Sequence, residues 1–160
     1  MHDPTPASPA ALMRRLRDQA FRASAADLEI EPTERHPRVW GAIVELGYPT
    51  GIATLLVLAE GTISLYFSNG GGVIGAGEDP AVQRTGAILL DGFEAHLEAI
   101  PRVEATPSPR IGRVRFYART FDGTRGTEVP EEDLRSGADT LTPLYHAAHA
   151  VITAIRERET

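Results

Sequence analysis

The stretch that most restricts the fold is a strand, a glycine-rich loop and a helix in immediate succession, at residues 62–100. Its first part alternates the apolar side chains Ile63, Leu65 and Phe67 with polar ones, the period of two that is typical of a strand with one buried and one solvated face. Five glycines then lie between residues 70 and 77, before a run with helical periodicity. The chain therefore passes from a sheet to a covering helix here, and the remaining elements have to pack around that junction.

The helix after the loop has the clearest pattern in the chain. Asp79 and Pro80 suit its start as N-cap and first helical residue, and Pro101 ends it. Small or apolar residues recur three or four positions apart, which places them on one helical face: Val82, Gly86, Leu89, Phe93, Leu97 and Ile100.

Two further helices are predicted, one near each end of the chain. The first follows the cap pair Ser8-Pro9 and reaches about residue 24, with an apolar stripe made of Leu12, Met13, Leu16, Ala20 and Phe21. The last covers residues 140–156 and has its stripe at Leu141, Leu144, Ala148, Val151 and Ile155. Both are amphipathic, so each should bury one side.

Two hairpins complete the predicted elements. Apolar runs at residues 39–48 and 52–59 flank a Pro-Thr-Gly turn, and the second run is apolar enough for a central strand covered on both faces. Residues 111–119 alternate, and Asp122-Gly123 is a hairpin signal that predicts an edge strand over residues 124–129. An acidic turn is expected at residues 130–137.

The order α-β-β-β-α-β-β-α favours an α+β fold, because the strands occur in meanders and do not alternate singly with helices. A chain of 160 residues is the size of one domain. We expect a flexible tail over residues 1–8 and a single two-layer domain over residues 9–160. Its antiparallel sheet should have about five strands, with the helices packed on one face.

Composition excludes several chemistries. The sequence contains neither cysteine nor lysine, so disulfides, thiolate metal sites, Schiff bases and a phosphate-loop lysine are absent. The net charge of −6 argues against non-specific nucleic-acid binding, which needs a basic surface. No apolar run is long enough for a membrane span and no secretory signal precedes the first arginines, so we expect a cytoplasmic protein without a membrane segment.

The glycine-rich loop is the first candidate site. Residues 70–75 match G-x-G-x-x-G between a strand and a helix, and side-chain-free N–H groups before a helix can cradle an anion. Against a dinucleotide, the strand belongs to a meander and not to a parallel βαβ unit; the alternative is a turn that needs positive φ angles. The candidate ligand-binding residues are Ser68, Asn69, Gly70, Gly71, Gly72, Gly75 and Gly77. No cofactor is predicted.

A histidine pair is the second candidate. His146 and His149 lie three positions apart on the last predicted helix, close enough to share a metal ion. A complete site needs further ligands, and Asp91, Glu94 and His96 could supply them only if the two helices are adjacent. The alternative is a pair of hydrogen-bonded packing residues.

A row of arginines is the third candidate. Arg113, Arg115 and Arg119 should project with Tyr117 from one face of a strand, and Tyr66 could share that face. Arginine and tyrosine are enriched at interface hot spots, so this face is a candidate protein interface. The alternative is an ordinary solvated sheet face.

The sequence contains no recognisable catalytic motif such as G-x-S-x-G or H-E-x-x-H. The leading hypothesis is therefore a non-enzymatic interaction or regulatory protein, homodimeric through its sheet face or its N-terminal helix. A protein or enzyme that binds a small anionic ligand at residues 70–77 is the alternative, and a metalloprotein that uses His146 and His149 is the third hypothesis.

Overall fold

A computed structural model describes residues 8–158 and shows one antiparallel sheet. Its six strands lie in the order β4-β3-β2-β1-β5-β6, so both predicted hairpins meet at β1, which pairs with β2 and β5. Their bounds are Val39–Tyr48 for β1, Gly51–Leu58 for β2, Ile63–Phe67 for β3, Gly72–Val73 for β4, Arg113–Thr120 for β5 and Gly123–Pro130 for β6. The antiparallel sheet is confirmed. The two-residue strand β4, inside the glycine-rich loop, was not predicted.

Four helices accompany the sheet in the described residues. They are α1 (Pro9–Arg22), α2 (Pro80–Ala95), α3 (Glu131–Ser136) and α4 (Thr142–Arg158). The predicted acidic turn at residues 130–137 is instead α3, which carries its carboxylates in the first turn and ends at Gly137 with φ 81°. Residues 1–7 of the predicted tail lie outside the described residues.

Helices α2 and α4 cover one face of the sheet and form the main core with it. The predicted stripes of both helices are buried there, with Leu89 and Phe93 of α2 and Leu144 of α4 fully enclosed. As predicted, Asp79 caps α2, and its Oδ1 accepts the Ala81 N–H at 2.9 Å. The periodicity of these two helices was therefore sufficient to identify their buried sides.

Helix α1 lies on the opposite face, so the helices do not all share one side as expected. Beneath it a second core contains Trp40, Ile43 and Tyr117, against which Phe21 of α1 packs. The same helix shields Ser64 and Tyr66, which are buried although their alternation predicted a solvated face. Helix α1 covers this face because β2 is apolar on both sides, and Leu56 and Leu58 need a second layer to exclude water.

The segment between α1 and β1 contains a helical turn that ends in a strained residue. Ile30 donates its N–H to the Ala25 carbonyl at 2.9 Å, and Glu29 donates to Ala26 at 3.1 Å, the pair of bonds that closes a Schellman motif. Its left-handed position is held by Glu29 with φ 56°. Glycine is preferred there because any side chain brings Cβ close to the following carbonyl oxygen.

We predict that Glu29→Gly raises the free energy of unfolding by about 1 kcal/mol, because glycine adopts the left-handed conformation without steric cost. Urea denaturation checks this. Glu29→Ala is the matched control, since it also removes the carboxylate but keeps the strained Cβ, and no gain is expected from it. Equal stabilisation by both variants would attribute the effect to charge and contradict the prediction.

Candidate functional site

A buried carboxylate anchors α1 to the sheet. Glu45 of β1 is 0% exposed, and Arg17 donates to both of its carboxylate oxygens at 2.8 and 2.7 Å. Thr54 on the neighbouring strand donates to the same carboxylate at 2.6 Å. A bidentate guanidinium and a hydroxyl thus compensate a charge that burial alone would make very costly.

A second arginine fixes the other end of α1. Arg119 of β5 is 8% exposed and donates to the Ala20 and Ala23 carbonyls at 2.6 and 2.8 Å, where the helix dipole is negative. Its guanidinium lies 4.7 Å from the centre of the Trp40 ring. Burial lowers the pKa of Arg119, and the helix carbonyls take the place of a carboxylate partner.

These contacts change the interpretation of the arginine and tyrosine row. Tyr117 is fully buried with its ring 5.0 Å from that of Phe21, and Tyr66 and Arg119 are also buried. The expectation of an exposed sheet face is wrong for these three, because α1 covers them. Of the row, Arg113 and Arg115 remain half-buried.

Arg115 instead forms a contact within the chain. Its Nε lies 3.3 Å from Glu128 Oε1 on the paired strand β6, and Arg110 donates to the same carboxylate at 2.8 and 3.0 Å. Arg115 and Arg110 therefore share one carboxylate of their own chain.

Helix α1 covers the second face only in part and leaves an apolar groove beside it. Two adjoining hollows of about 350 and 220 Å³ share Tyr66 as a wall. We call them together the α1 groove; its main lining residues are Leu12, Leu16, Leu58, Tyr66, Gly72 and Ile74. None of the described residues that line it is charged.

Two apolar side chains project from the rim of the α1 groove. Leu12 is 44% exposed and Ile74 is 66% exposed, so the groove combines recessed and projecting apolar surface. Sequence reasoning placed Leu12 on the buried stripe of α1 and did not single out Ile74. Apolar character inside a loop of glycines was the signal that could have identified Ile74.

The glycine-rich loop packs tightly against its own neighbours. It turns by hydrogen bonds from Gly70 N–H to the Phe67 carbonyl and from Phe67 N–H to the Gly71 carbonyl, at 2.9 and 3.1 Å. A Cβ on Gly72 would overlap the Leu65 carbonyl oxygen, and one on Gly77 would overlap that of Gly61. Close backbone approach therefore explains both glycines without a ligand.

Side chains of the loop region are also engaged in local structure. Ser68 Oγ accepts the Ile52 N–H at 2.7 Å, and the Asp79 carboxylate occupies the N-terminus of α2, where an anion would otherwise bind. The turn between β3 and β4 contains Asn69, Gly70 and Gly71, and Gly75 follows β4. Ligand binding by this loop stays a prediction.

The two histidines of the candidate metal site lie in different environments. His146 is exposed, whereas His149 packs edge-on against Tyr145, with ring centres 4.6 Å apart. Burial lowers the pKa of His149, so its imidazole is neutral at pH 7. Within residues 8–158, Nε2 of His149 is buried without a hydrogen-bond partner.

The further ligands proposed for a metal are used elsewhere. Asp91 pairs with Arg35, Glu94 accepts the Val39 N–H at 2.8 Å, and His96 Nδ1 contacts a helix carbonyl. In the part of the chain that the structure describes, no group of three or more histidine and acidic residues is placed to hold a metal ion.

A cleft of about 820 Å³ lies between residues 24–32 and the β5–β6 hairpin. Arg119 and Trp40 line it, and Glu29 and Glu31 stand among its exposed residues. The guanidinium of Arg119 already donates to carbonyls of α1, so the described lining of this cleft offers no free cationic group.

Comparisons of the chain with protein-family models, with curated proteins and with solved structures find no match. No helix among residues 8–158 is both long and apolar enough to cross a bilayer.

We predict that Arg17→Met lowers the free energy of unfolding by about 3–5 kcal/mol, because it leaves the Glu45 charge buried without its partner. The double variant Arg17→Met/Glu45→Met should recover most of this loss, since it removes both charges. Urea denaturation measures both effects.

The exposed Arg35–Asp91 pair provides the control for that experiment. Both of its side chains are well solvated, so Arg35→Met should cost less than about 1 kcal/mol. A double variant as unstable as Arg17→Met would show that the loss does not come from an uncompensated Glu45.

We predict that Gly77→Ala destabilises the fold by about 1–3 kcal/mol, because the added methyl group collides with the Gly61 carbonyl. Gly75→Asn is the control: its position has φ 74° and open space around a Cβ, and asparagine tolerates that conformation. Thermal denaturation compares them. Equal stability of both variants would contradict a packing role for Gly77.

Proposed function

We propose that this chain is a cytoplasmic, non-enzymatic interaction protein that forms a homodimer through the α1 groove. The observation that carries the proposal is a pair of apolar hollows that share Tyr66, whose described lining residues are uncharged and include the exposed side chains of Leu12 and Ile74. Single exposed apolar side chains are common on monomers, but a recessed apolar floor with a projecting apolar rim is typical of a contact surface.

The absence of charge from the described lining of the groove supports a protein interface. Interface cores are depleted in charged residues, and homodimer interfaces are more apolar than transient ones. The polar groups in the lining include the side chains of Gln19 and Tyr66. Desolvating this surface would therefore cost little, and the apolar area removed from water would favour association.

A second copy of the chain fits this surface better than a charged partner would. The net charge of −6 makes two copies repel one another at most surfaces, and the α1 groove adds no like charge to that repulsion. A two-fold interface requires a self-complementary patch. The α1 groove offers both exposed apolar side chains and hollows that could receive them. Antiparallel α1 helices that cross between residues 16 and 17 would also set exposed Arg15 beside exposed Asp18 across the axis.

We predict that light scattering of the full chain gives twice the mass of one chain, and that Ile74→Glu and Leu12→Glu each convert it to a monomer. A glutamate at either position would have to lose its hydration in an apolar interface. Because both side chains are exposed in one chain, circular dichroism should show that the monomers remain folded.

Ile111→Glu is the matched control, because Ile111 is 68% exposed but lies outside the α1 groove. It should leave the dimer intact. A monomeric wild-type protein at micromolar concentrations would contradict the proposal, and so would dissociation by Ile111→Glu. A dimer that appears only after residues 1–7 are deleted would show that the chain itself occupies the groove.

A further inference from the structure

A cleft of about 630 Å³ lies between α2 and the turn that joins β2 to β3. The segment that precedes β1 forms its third wall through Thr33, Arg35 and His36. This volume is within the range of small-molecule sites. The cleft lies on the α2 side of the sheet and shares only Leu58 with the lining of the α1 groove.

The floor of the cleft is apolar. Val57 and Ile63 of the sheet and Leu90 of α2 form its base, and Ile88 adds a side chain that is 56% exposed. Gly86 allows this close packing, because a Cβ there would lie 2.5 Å from the Ile63 Cδ1 atom and the Ile63 side chain would have to shift. Such a floor suits the hydrocarbon part of a ligand.

The charged groups of the cleft all have one sign. Arg35 and Arg84 line it, and no described lining residue carries a carboxylate, although acidic residues outnumber basic ones in the chain. Arg84 is exposed and has no hydrogen-bond or ion-pair partner within residues 8–158. Gln83, Thr33 and His36 add neutral or titratable polar groups. An anionic group is therefore the complement of this rim.

Asp91 orients the cationic side of the cleft without being part of its lining. Its two oxygens accept from Arg35 Nε and Nη2 at 2.8 and 2.7 Å, and Oδ1 also contacts His36 Nε2 at 2.8 Å. The Arg35 hydrogen bonds lower the pKa of Asp91, so the carboxylate stays charged at neutral pH. Nη1 of Arg35 has no hydrogen-bond partner among the described residues and is left for a ligand.

We propose that this cleft binds a small organic monoanion, a carboxylate with an aliphatic body. The carboxylate would accept hydrogen bonds from Arg84 and from Arg35 Nη1, and the body would lie on Val57, Ile63 and Leu90. A single negative charge fits best, because Asp91 already balances part of the Arg35 charge. This inference does not depend on dimer formation.

Decanoate is the probe that tests the proposal on the full chain. Calorimetric titration should show saturable binding, and amide chemical shifts should move at Ile63 and Ala87. Decanol lacks the charge and acetate lacks the body, so each should bind at least about tenfold more weakly. Arg84→Glu should reduce decanoate affinity by at least about tenfold, because it replaces attraction with repulsion.

Arg14→Glu is the matched control, since Arg14 is exposed on α1 and its replacement changes the net charge by the same amount. It should leave decanoate affinity unchanged. The proposal is overturned if decanoate does not bind saturably, if Arg84→Glu binds it like the wild type, or if decanol binds equally well. Shifts at Leu12 and Ile74 in place of Ile63 and Ala87 would also overturn it.

Discussion

The position of α1 depends on one buried ion pair. Glu45 lies on the central strand with no exposure to water, and the described part of the chain compensates its charge through Arg17 and Thr54. A carboxylate in that place requires a cation from the layer that covers the sheet. Leaving a buried charge without its partner lowers the free energy of unfolding by about 3–5 kcal/mol. The ion pair thereby fixes which face α1 covers, and Arg119 fixes where it ends.

Both candidate surfaces follow from this anchoring. With α1 held over the second face, the strip of sheet beside it remains as the α1 groove. The chain must then cross from α1 to β1, and Arg38 pairs with Glu94 of α2 on the way at 2.8 Å. That path places Arg35 and His36 against α2, where they form one wall of the cleft between α2 and the β2–β3 turn.

The two surfaces differ in the chemistry they can recognise. The α1 groove has no charged residue in its described lining, so its affinity would come from apolar burial, with little dependence on salt. The cleft between α2 and the β2–β3 turn adds guanidinium groups to an apolar floor, which would favour a ligand with an anionic head group. The proposed protein interface and the proposed small-molecule site share only Leu58 in their linings.

Local pattern determined all the predicted helices and both hairpins but missed β4 and α3, and tertiary structure decided what the elements contact. The stripes of α2 and α4, the Asp79 cap and both hairpins were predictable, because each depends on residues a few positions apart. The side of the sheet that α1 covers was not predictable, because an amphipathic stripe indicates that a helix buries one side but does not indicate which surface covers it. Arg17 and Glu45 are 28 residues apart, and neither sequence neighbourhood marks the other as its partner. For the same reason Tyr66 and Tyr117 were expected on an outer sheet face, available to a partner or to solvent. Alternation gives the two faces of a strand, but only the packed chain determines which of them another element covers.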